Sequence, residues 1–573
     1  MRRRLLLLLI SLGVMCWDTT VQAQERLGIE PPRRLGPIEP SFPTPPPSPP
    51  LQRPVLPPVP PLSPEEQERL PVPRLFVRQI NVTGNTIFSE ADLAAVTTMY
   101  VNRYLTSEDL EALRLALTRL YVNAGYINSG AVLPDQTVTA GVITFHIIEG
   151  TLTSVMVEGN RWFREGYLRQ RLTLGVMPPL NIGTLQERLQ LLQQDDRIER
   201  LDAELSPGVQ LGESMLHVRV AERLPFFVAL EFNNYQSPTI GAERGLITVA
   251  HRNLTGHGDV LNFTYGRSSG LDLQVDTSYT LPLTPRDTTV SLRYQRNDTL
   301  VVEELFAPLD ITSHSEIFTL TLRHPFYRTL QREFALALSG EYLASRTFLL
   351  GEPFSFSAGA NNGKAKDTAL RLLAEWLDQT PEQVLAIRSR FSLGIDALGA
   401  TINDDSSLPD GRFFAWLGQF QWGRRFGTRD IQLLFRLDVQ LTPEPLLPLE
   451  QIAIGGRFSV RGYRENQLVR DNGLIVSLES RIPLIRNTRW AEYVQLVPFV
   501  DFGRGWNSKI ATPEPTTLVS IGLGLRWGAT LHKGLPLRVQ SEVFWGYKLK
   551  NVTTEGGDLQ DKGLHLQFVI AAF

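Results

Sequence analysis

The sequence has almost no cysteine: Cys16 is the one thiol among 573 residues. A single cysteine excludes an internal disulfide scaffold and any structural zinc site built from several thiolates. Neither sign of charge is in excess, because 57 Lys and Arg residues face 60 Asp and Glu residues and leave a formal net charge of -3. Proteins that bind nucleic acid usually carry a basic surplus for the phosphates, so we expect no nucleic-acid partner.

Long hydrophobic runs are also absent beyond the N-terminus. No stretch after residue 23 has the roughly 18 consecutive apolar residues of a helical membrane span. The mean hydropathy of -0.09 excludes a polytopic helical membrane protein. It does not exclude a β-barrel, in which lipid-facing apolar residues alternate with polar residues of the lumen and the two average out.

Catalytic motifs are missing as well. The eight His residues never form the His-Glu-x-x-His pattern of a zinc protease. The sequence Gly-Arg-Ser-Ser-Gly at positions 266–270 matches the Gly-x-Ser-x-Gly of hydrolases, but a nucleophile elbow is followed by a helix, whereas a strand pattern follows here. We therefore predict a protein that is not an enzyme and that uses no metal and no cofactor.

What is present begins with an export signal. Three arginines follow Met1, an apolar run extends from Leu5 to Trp17, and Val-Gln-Ala at positions 21–23 is a small-x-small cleavage site. We predict that residues 1–23 are a signal peptide, so that the chain leaves the cytoplasm and loses Cys16.

A proline-rich tract follows the signal. Between positions 31 and 64 the sequence has 16 prolines, which favour extended polyproline II over helix or sheet. We predict that residues 24–74 are a semi-rigid periplasmic tether. Two roles remain open for it, a passive spacer and a docking motif for periplasmic or cell-wall components.

Two segments of similar length then repeat one pattern. Each begins with an alternating strand that ends at Gly-Asn, continues with helical patterns and closes with two further strands. In the first copy, Ser-x-x-Asp at Ser89 and Thr-x-x-Asp at Thr106 indicate two helix N-termini. The repeat predicts two α+β modules of the order β-α-α-β-β, at 75–149 and 150–223, of a size suited to binding a partner.

From residue 224 to residue 573 the pattern changes to strict alternation. Sixteen segments of about 10 to 14 residues have one apolar and one polar side. A soluble β-sandwich also alternates, but strands of this length fit a tilted crossing of a bilayer better than the usual length of about five or six residues. The even number predicts a transmembrane antiparallel β-barrel of sixteen strands with a hydrated lumen.

One connection of this predicted barrel is unusually long. Residues 442–470 separate the eleventh and twelfth strands and contain the sequence Val460-Arg461-Gly462-Tyr463 within a glycine-rich stretch. On the strand that follows the twelfth, Asp501 shares a face with Gln495 and is predicted to point into the lumen, two residues before Gly503. We expect the loop to fold back inside the barrel, where Arg461 pairs with Asp501 in a partly desolvated, charge-assisted hydrogen bond.

The next strand supplies space for such a loop. Its predicted lumen face includes Gly522 and Gly524, and the missing side chains leave room beside Asp501. A purely structural pairing of Arg461 with Asp501 remains an alternative to a role in transport. Other charges of the predicted lumen faces, such as Glu479 and Glu542, are expected to keep the path hydrated.

The layout and these motifs resemble the two-partner secretion outer-membrane transporters (TpsB type), the haemolysin/haemagglutinin secretion-activation family. The resemblance extends from Leu75 to Phe573 and rests on Val460-Arg461-Gly462-Tyr463, on Phe-Val-Asp501-Phe-Gly503, and on Ala-Val-Leu-Pro-Asp-Gln at positions 131–136. It implies that the two modules are POTRA domains and that Arg461 and Asp501 join the loop to the barrel wall. Some members have an N-terminal helix that plugs the pore, and the proline-rich tract leaves little room for one here.

The resemblance also implies a function. The chain would lie in the outer membrane of a Gram-negative-type bacterium, in contact with outer-membrane lipid, as a monomeric barrel with its N-terminal domains in the periplasm. The POTRA domains would recognise an unfolded, β-rich exported partner protein, which would cross the barrel to the surface or medium without nucleotide hydrolysis.

Two other functions remain open. An outer-membrane barrel assembly or insertion factor belongs to the same superfamily, but two modules rather than a longer array count against it. A passive, porin-like channel would have no use for repeated periplasmic modules or for an inward-folded loop.

Overall fold

The structure is a computed structural model that describes residues 74–531, 537–552 and 557–572. The predicted signal peptide and the predicted tether up to Pro73 lie outside the described residues. The chain divides between Arg223 and Leu224 into two compact units. None of the helices in the described ranges is long and apolar enough to cross a membrane.

The first module is a three-stranded sheet covered by two helices. Strand β2 runs parallel to β5, and β4 pairs with β5 on its other side in antiparallel sense. Both helices begin where the sequence predicts, because Ser89 with Asp92 and Thr106 with Asp109 form complete capping boxes. A short pair, β1 with β3, is additional, and its strands are too short to give an alternating pattern. The elements are β1 Leu75–Val77, β2 Gln79–Thr83, α1 Glu90–Thr97, β3 Arg103–Leu105, α2 Ser107–Asn123, β4 Gly130–Val132 and β5 Val142–Ile148, with a turn of 3-10 helix at Thr98–Tyr100.

The second module repeats this arrangement. Strand β8 lies between β6, which is parallel to it, and β7, which is antiparallel. Asn181 caps the second helix, and Leu185 and Leu192 of that helix are buried against the sheet. The predicted β-α-α-β-β order is thus present in both copies. The elements are β6 Thr151–Glu158, α3 Glu165–Leu172, α4 Ile182–Gln193, β7 Ile198–Pro207 and β8 Glu213–Glu222.

The two modules are joined by specific hydrogen bonds. Asn128 Nδ2 donates to the carbonyl oxygen of Gly212 and to Ser214 Oγ, both at 3.1 Å. Asn181 Nδ2 donates to the carbonyl oxygen of Ala124 at 3.1 Å. These bonds join residues just after α2 in the first module to the start of β8 and the N-terminal cap of α4 in the second, so they fix the orientation of one module against the other.

The second unit is a closed antiparallel barrel of sixteen strands. The last strand pairs with the first, Gln567 to Ala572 against Val228 to Asn233, which closes the ring and excludes the sandwich alternative. All sixteen predicted strands are present. They are β9 Phe226–Asn233, β10 Arg244–His251, β11 Val260–Ser268, β12 Leu271–Pro282, β13 Thr289–Leu300, β14 Thr312–Arg328, β15 Arg332–Leu349, β17 Lys364–Gln379, β18 Gln383–Gly394, β19 Phe414–Phe426, β20 Ile431–Leu441, β23 Asn472–Arg486, β24 Tyr493–Trp506, β25 Thr517–Leu531, β26 Leu537–Lys548 and β27 Leu564–Ala572.

Smaller elements lie in the connections. Strand β16, Glu352–Pro353, extends the hairpin after β15, and two strands lie in the long loop, β21 Ile452–Ile454 and β22 Leu468–Arg470. Single turns of 3-10 helix occur at Pro238–Ile240 and Ala307–Leu309.

The two sides of the barrel wall differ as the alternation predicts. On β25, Ile521, Leu523 and Leu525 are each about half exposed on the outside, whereas Ser520 and Arg526 are buried on the lumen side. The same alternation recurs around the ring and gives an apolar outer band, as in membrane-spanning barrels. The lumen side of the wall is polar, with buried residues such as Asn262, Asp276, Arg293, Glu341, Arg371, Asp438 and Glu542.

Candidate functional site

The long connection between β20 and β23 lies inside the barrel. Nearly all of residues 445–470 are buried, and β21 pairs with β22 to make a hairpin whose tip carries the Val-Arg-Gly-Tyr sequence. The hairpin has its own apolar core against the wall. The core comprises Ile452, Ile454, Val460, Tyr463 and Leu468 of the loop with Ile475 and Leu518 of the wall.

Arg461 and Asp501 lie together in the lumen. Arg461 Nε and Nη2 donate to the two carboxylate oxygens of Asp501 at 2.8 and 2.9 Å, and the backbone N–H of Arg461 donates to the same carboxylate at 3.0 Å. The side chains of Arg461 and Asp501 are 3% and 0% exposed. This bidentate geometry is the strongest that an arginine and a carboxylate can make, and burial of both side chains reduces the screening of their charges by solvent.

A second carboxylate completes the surroundings of Arg461. Its Nη1 donates to Glu479 on β23 at 2.7 Å, and Glu479 also accepts from Arg481 at 2.9 Å. Ser477 bridges the group, since its hydroxyl donates to Asp501 at 2.6 Å and accepts from Arg461 at 3.1 Å. The buried charges therefore have partners on two neighbouring strands.

Two aromatic rings support the guanidinium group. The centre of the Phe499 ring lies 3.7 Å from Arg461 Cζ, and that of Phe544 lies at 5.2 Å. A cation above an aromatic face at this distance is attracted by the ring quadrupole. Phe499 shares the lumen face of β24 with Asp501, so an apolar ring lies next to the carboxylate on that face.

Gly522 and Gly524 were expected to leave space for the loop, and the structure shows different groups in that space. A Cβ atom at Gly522 would lie 2.4 Å from the Phe499 ring, and one at Gly524 would lie 2.3 Å from the Phe544 ring. A Cβ at Gly522 would also lie 2.1 Å from the carbonyl oxygen of Trp545 on the neighbouring strand. The two glycines therefore make room for the two rings and for this carbonyl group, and not directly for the loop. The loop in turn rests on the rings through Arg461.

The loop backbone meets the wall at other glycines. Gly462 has a φ of 94°, and its Cα lies 2.7 Å from where a Cβ of Gly546 would be. The Gly462 N–H donates to His565 Nε2 at 3.2 Å. Gly503 lies under Val460 and Ile454, whose side chains would be 2.7 and 2.4 Å from an added Cβ. The loop tip therefore approaches β24 and β26 more closely than any side chain there would permit.

Tyr463 fixes the end of the motif. Its side chain is fully buried, and its hydroxyl lies 2.7 Å from the carbonyl oxygen of Lys550 and 2.9 Å from that of Val519. The backbone N–H groups of the same two residues donate to the hydroxyl at 3.3 Å. One side chain thus satisfies backbone groups at the ends of two strands.

A second arginine of the loop makes a parallel set of contacts. Arg457 Nε donates to Glu542 on β26 at 3.0 Å, and its Cζ lies 4.0 Å from the centre of the Phe544 ring. Tyr235 donates to the same Glu542 oxygen at 2.9 Å. Glu542 was predicted to lie on the lumen face, but its pairing with Arg457 was not predicted. The two glycines directly before Arg457 are the sequence feature that could have indicated a close contact of this arginine with the wall.

The other half of the loop is attached to the opposite wall. Glu450 accepts from Arg371 at 2.7 Å, and Arg371 also donates to Glu341 at 2.7 Å. Arg371 lies on β17, the eighth strand of the ring, whereas the tip contacts β24, β26 and β27, the thirteenth, fifteenth and sixteenth strands. In a closed ring of sixteen, the eighth strand faces the sixteenth. The loop therefore crosses the lumen from wall to wall.

These contacts anchor a segment and do not assemble reacting groups. Within the ranges that the structure describes, no cluster of His, Cys, Asp and Glu side chains could hold a metal ion. The charged groups of the loop tip are arginine and carboxylate pairs that satisfy each other's hydrogen bonds. The contacts can hold the long loop inside the lumen, and breaking them would release the loop.

Comparison with protein families gives two matches. The model described as haemolysin secretion/activation protein ShlB/FhaC/HecB matches residues 212–527, and that described as POTRA domain, ShlB-type, matches residues 75–150.

Curated relatives cover most of the chain. The outer membrane transporter CdiB of Dickeya dadantii (strain 3937) is 23% identical over 475 residues, which are 79% of this chain and 81% of the relative. The hemolysin transporter protein ShlB of Serratia marcescens is 23% identical over 524 residues, 87% of this chain and 86% of the relative.

Solved structures show the same fold. CdiB from Escherichia coli aligns with a TM-score of 0.64 and 22% identity, covering 89% of this chain and 92% of that one. BamA from Haemophilus ducreyi lacking POTRA domains 1-3 aligns with a TM-score of 0.51 and 12% identity, covering 87% and 99%.

Proposed function

The chain belongs to the haemolysin secretion/activation family ShlB/FhaC/HecB, and from that premise we propose that it recognises one unfolded exported protein in the periplasm and passes it through its barrel. Membership makes it an outer-membrane secretion transporter with POTRA domains in the periplasm, in a family of transporters and not of enzymes. We further propose the division into a leader at 1–23, a tether at 24–74, modules at 75–149 and 150–223, and a barrel at 224–573. A monomer is expected because one chain closes the ring by itself.

The observation that carries the proposal is the buried contact of Arg461 with Asp501. A simple diffusion channel needs no loop that crosses its lumen, and a loop held by neutral packing would need no buried ion pair. Removing one partner of a buried pair typically costs about 3 to 5 kcal/mol, because the other charge is left without compensation. Such a contact is suited to holding a defined conduit geometry, which we take to be its role in transport.

Recognition is assigned to the sheet edges of the modules. Strand β7 is ten residues long, pairs with β8 on one side and has mostly exposed side chains. An extended segment of the exported protein could add to this edge through backbone hydrogen bonds, which depend little on its sequence. The fixed junction of the modules would present the edge in a constant orientation.

We assign the direction of transport to folding of the exported protein and not to hydrolysis of a nucleotide. A β-rich partner that folds after emerging cannot return through the lumen, so its folding makes passage irreversible. The polar lumen face keeps the path hydrated for an unfolded chain.

A deletion strain tests the function as a whole. We expect loss of one large protein from the culture medium while the other barrels of the outer membrane keep their abundance. General depletion of outer-membrane barrels would instead indicate an assembly factor, and unchanged secretion with reduced uptake of small solutes would indicate a porin.

Two variants test the residues. Arg461→Ala should reduce secretion at least tenfold while the barrel remains heat-modifiable on gels. Arg504→Ala removes an exposed outward-facing arginine of β24 and should leave secretion unchanged. Equal secretion by both variants would contradict the assigned role of Arg461.

A photo-crosslinker tests recognition. Placed at Glu204 on the β7 edge, it should capture the secreted protein in the periplasm, whereas the same group at the exposed Arg119 of α2 should not. Capture at Arg119 alone would place recognition elsewhere.

A further inference from the structure

An arginine-rich patch lies on the barrel rim where two neighbouring turns meet. The end of β19 and the turn that follows it carry Arg424, Arg425 and Arg429, and the end of β23 and the turn that follows it carry Arg486 and Arg489. Because β20 pairs with β23, the two turns are adjacent, and Arg486 pairs with Asp430 across them.

The patch has an excess of positive charge. Its carboxylates are Asp430, Glu492 and, on the adjoining turn, Glu382, so five arginines face three acids. Arg424, Arg429 and Arg489 are exposed and form no ion pair within the ranges that the structure describes. Three guanidinium groups are therefore available to an external anion.

Exposed apolar side chains lie among these arginines. Trp490 is 57% exposed, Leu484 is 56% exposed and Phe426 is 41% exposed. Arg424 projects outward on the same face of β19 as Phe426, with its Cζ 5.3 Å from the centre of that ring. Aromatic rings beside outward-facing cations are typical of the level at which a bilayer changes from acyl chains to headgroups.

Chain topology places the patch on the periplasmic side. The POTRA modules precede β9, so β9 starts at the periplasmic end. When the strands are counted by their position in the ring, with β9 as the first, each connection after an even-numbered strand lies at the periplasmic end. Strands β19 and β23 are the tenth and twelfth of the ring. The two turns therefore lie level with the phospholipid headgroups of the inner leaflet of the outer membrane.

We propose that Arg424, Arg429 and Arg489 form a binding site for the phosphate of an anionic phospholipid in that leaflet. The guanidinium groups bind the phosphate, and Trp490, Phe426 and Leu484 lie against the acyl chains. Arginine suits this ligand because its planar fork matches phosphate oxygens.

The test uses the full chain in vesicles. The wild type and the variant R424Q/R429Q/R489Q are inserted into phosphatidylcholine vesicles that contain a minority of phosphatidylglycerol. The phospholipids that stay bound after extraction into a zwitterionic detergent are identified by native mass spectrometry. Each basic side chain near an anionic surface contributes roughly fivefold to binding. The enrichment of phosphatidylglycerol on the variant should therefore be at least tenfold lower than on the wild type.

A matched control has the same change of charge. R267Q/R346Q/R504Q removes three exposed, outward-facing arginines near the other end of the barrel, where they lie on β11, β15 and β24, three strands that are not neighbours in the ring. It should keep the enrichment of the wild type. Equal loss in both variants would show a general charge effect and overturn the site, as would retention of the lipid by R424Q/R429Q/R489Q.

A protein ligand would give a different result. If R424Q/R429Q/R489Q retains phosphatidylglycerol but fails to secrete, the patch serves the exported protein and the lipid site is wrong. If that variant does not fold into a heat-modifiable barrel, the lipid site is tested with the single variant Arg429→Gln and with the salt dependence of the enrichment on the wild type. The enrichment must fall with the single change and with rising salt, and an enrichment insensitive to both overturns the proposal.

Discussion

The guanidinium group of Arg461 lies 3.7 Å from the centre of the Phe499 ring while it hydrogen-bonds both carboxylate oxygens of Asp501. Phe499 and Asp501 are two residues apart on β24, so one strand supplies both the anion and the apolar face for the same cation. The ring removes water from one side of the ion pair and thereby strengthens it.

Replacement of that ring tests its contribution. Phe499→Leu keeps the apolar volume but removes the aromatic face, which should weaken docking of the loop by about 1 to 2 kcal/mol. The measurement is thiol labelling at Ser459→Cys, which is 8% exposed in the docked loop. Cys16 is the only native cysteine and precedes the expected cleavage point, so the mature chain carries one label site.

The control for this change is Phe391→Leu, which alters an exposed ring on the outside of β18. Labelling should rise roughly fivefold or more with Phe499→Leu and stay constant with Phe391→Leu. Equal labelling in both would mean that the ring carries no share of the docking energy.

Substitution of Gly546 tests the close approach of backbone to backbone. Gly546→Ala places a methyl group 2.7 Å from the Cα of Gly462, and that neighbour is backbone that cannot rotate away. We expect the loop tip to move from the wall, with secretion reduced at least tenfold and labelling of Ser459→Cys increased. Gly340→Ala on β15 is the matched control, since no atom lies within 4 Å of its added Cβ. Normal secretion by Gly546→Ala would show that the contact is not required.

The contact that attaches the loop to the opposite wall of the barrel, between Glu450 and Arg371, can be tested separately. Glu450→Ala removes the carboxylate that accepts from Arg371, whereas Glu450→Gln keeps an oxygen in its place. We expect faster hydrogen exchange over residues 446–454 with the alanine variant, little change with the glutamine variant, and continued protection of residues 457–464 in both. Uniform loosening of the whole loop would show that it docks as one unit.

The helix caps of the first module predict a dependence on pH. The backbone N–H and the hydroxyl of Thr106 hydrogen-bond Asp109 and hold the pKa of this carboxyl below its ordinary value. The folded pKa lies below the unfolded one, so the stabilisation is complete above the unfolded pKa, about 3.9, and is lost as the pH falls towards the folded pKa.

The measurement is thermal unfolding of the helical circular-dichroism signal of the full chain between neutral pH and pH about 3. The melting temperature of the wild type should fall over the acidic part of this range. Asp109→Asn should start from a lower value and lose part of that dependence. An unchanged pH profile in the variant would remove Asp109 as the source.

Much of the fold could be predicted because its determinants are local. Alternation with a period of two marks a strand wherever one face meets lipid and the other meets water, and it recurs in all sixteen strands. The caps at Ser89 and Thr106 are decided within four residues of sequence. The pairing of Arg461 with Asp501 was predictable from an unusual loop and from the lumen face of one strand.

The remaining contacts of the loop join residues far apart in sequence. Arg457 and Glu542 are 85 residues apart, and Glu450 and Arg371 are 79 apart. No local pattern connects such pairs, since each residue alone looks like an ordinary lumen charge. Gly522 and Gly524 were recognised as space, but which rings would fill it depended on the rotamers of Phe499 and Phe544 on neighbouring strands.

The position of the loop within the chain also orders its assembly. Its tip binds Asp501, Glu542 and His565, all of which follow it in sequence, and His565 lies on the strand that closes the ring. The tip therefore cannot be fully seated until the C-terminal strands have paired, which makes loop docking a late folding event that depends on closure of the barrel. An incompletely closed barrel would leave the Gly462 N–H without its acceptor on the closing strand.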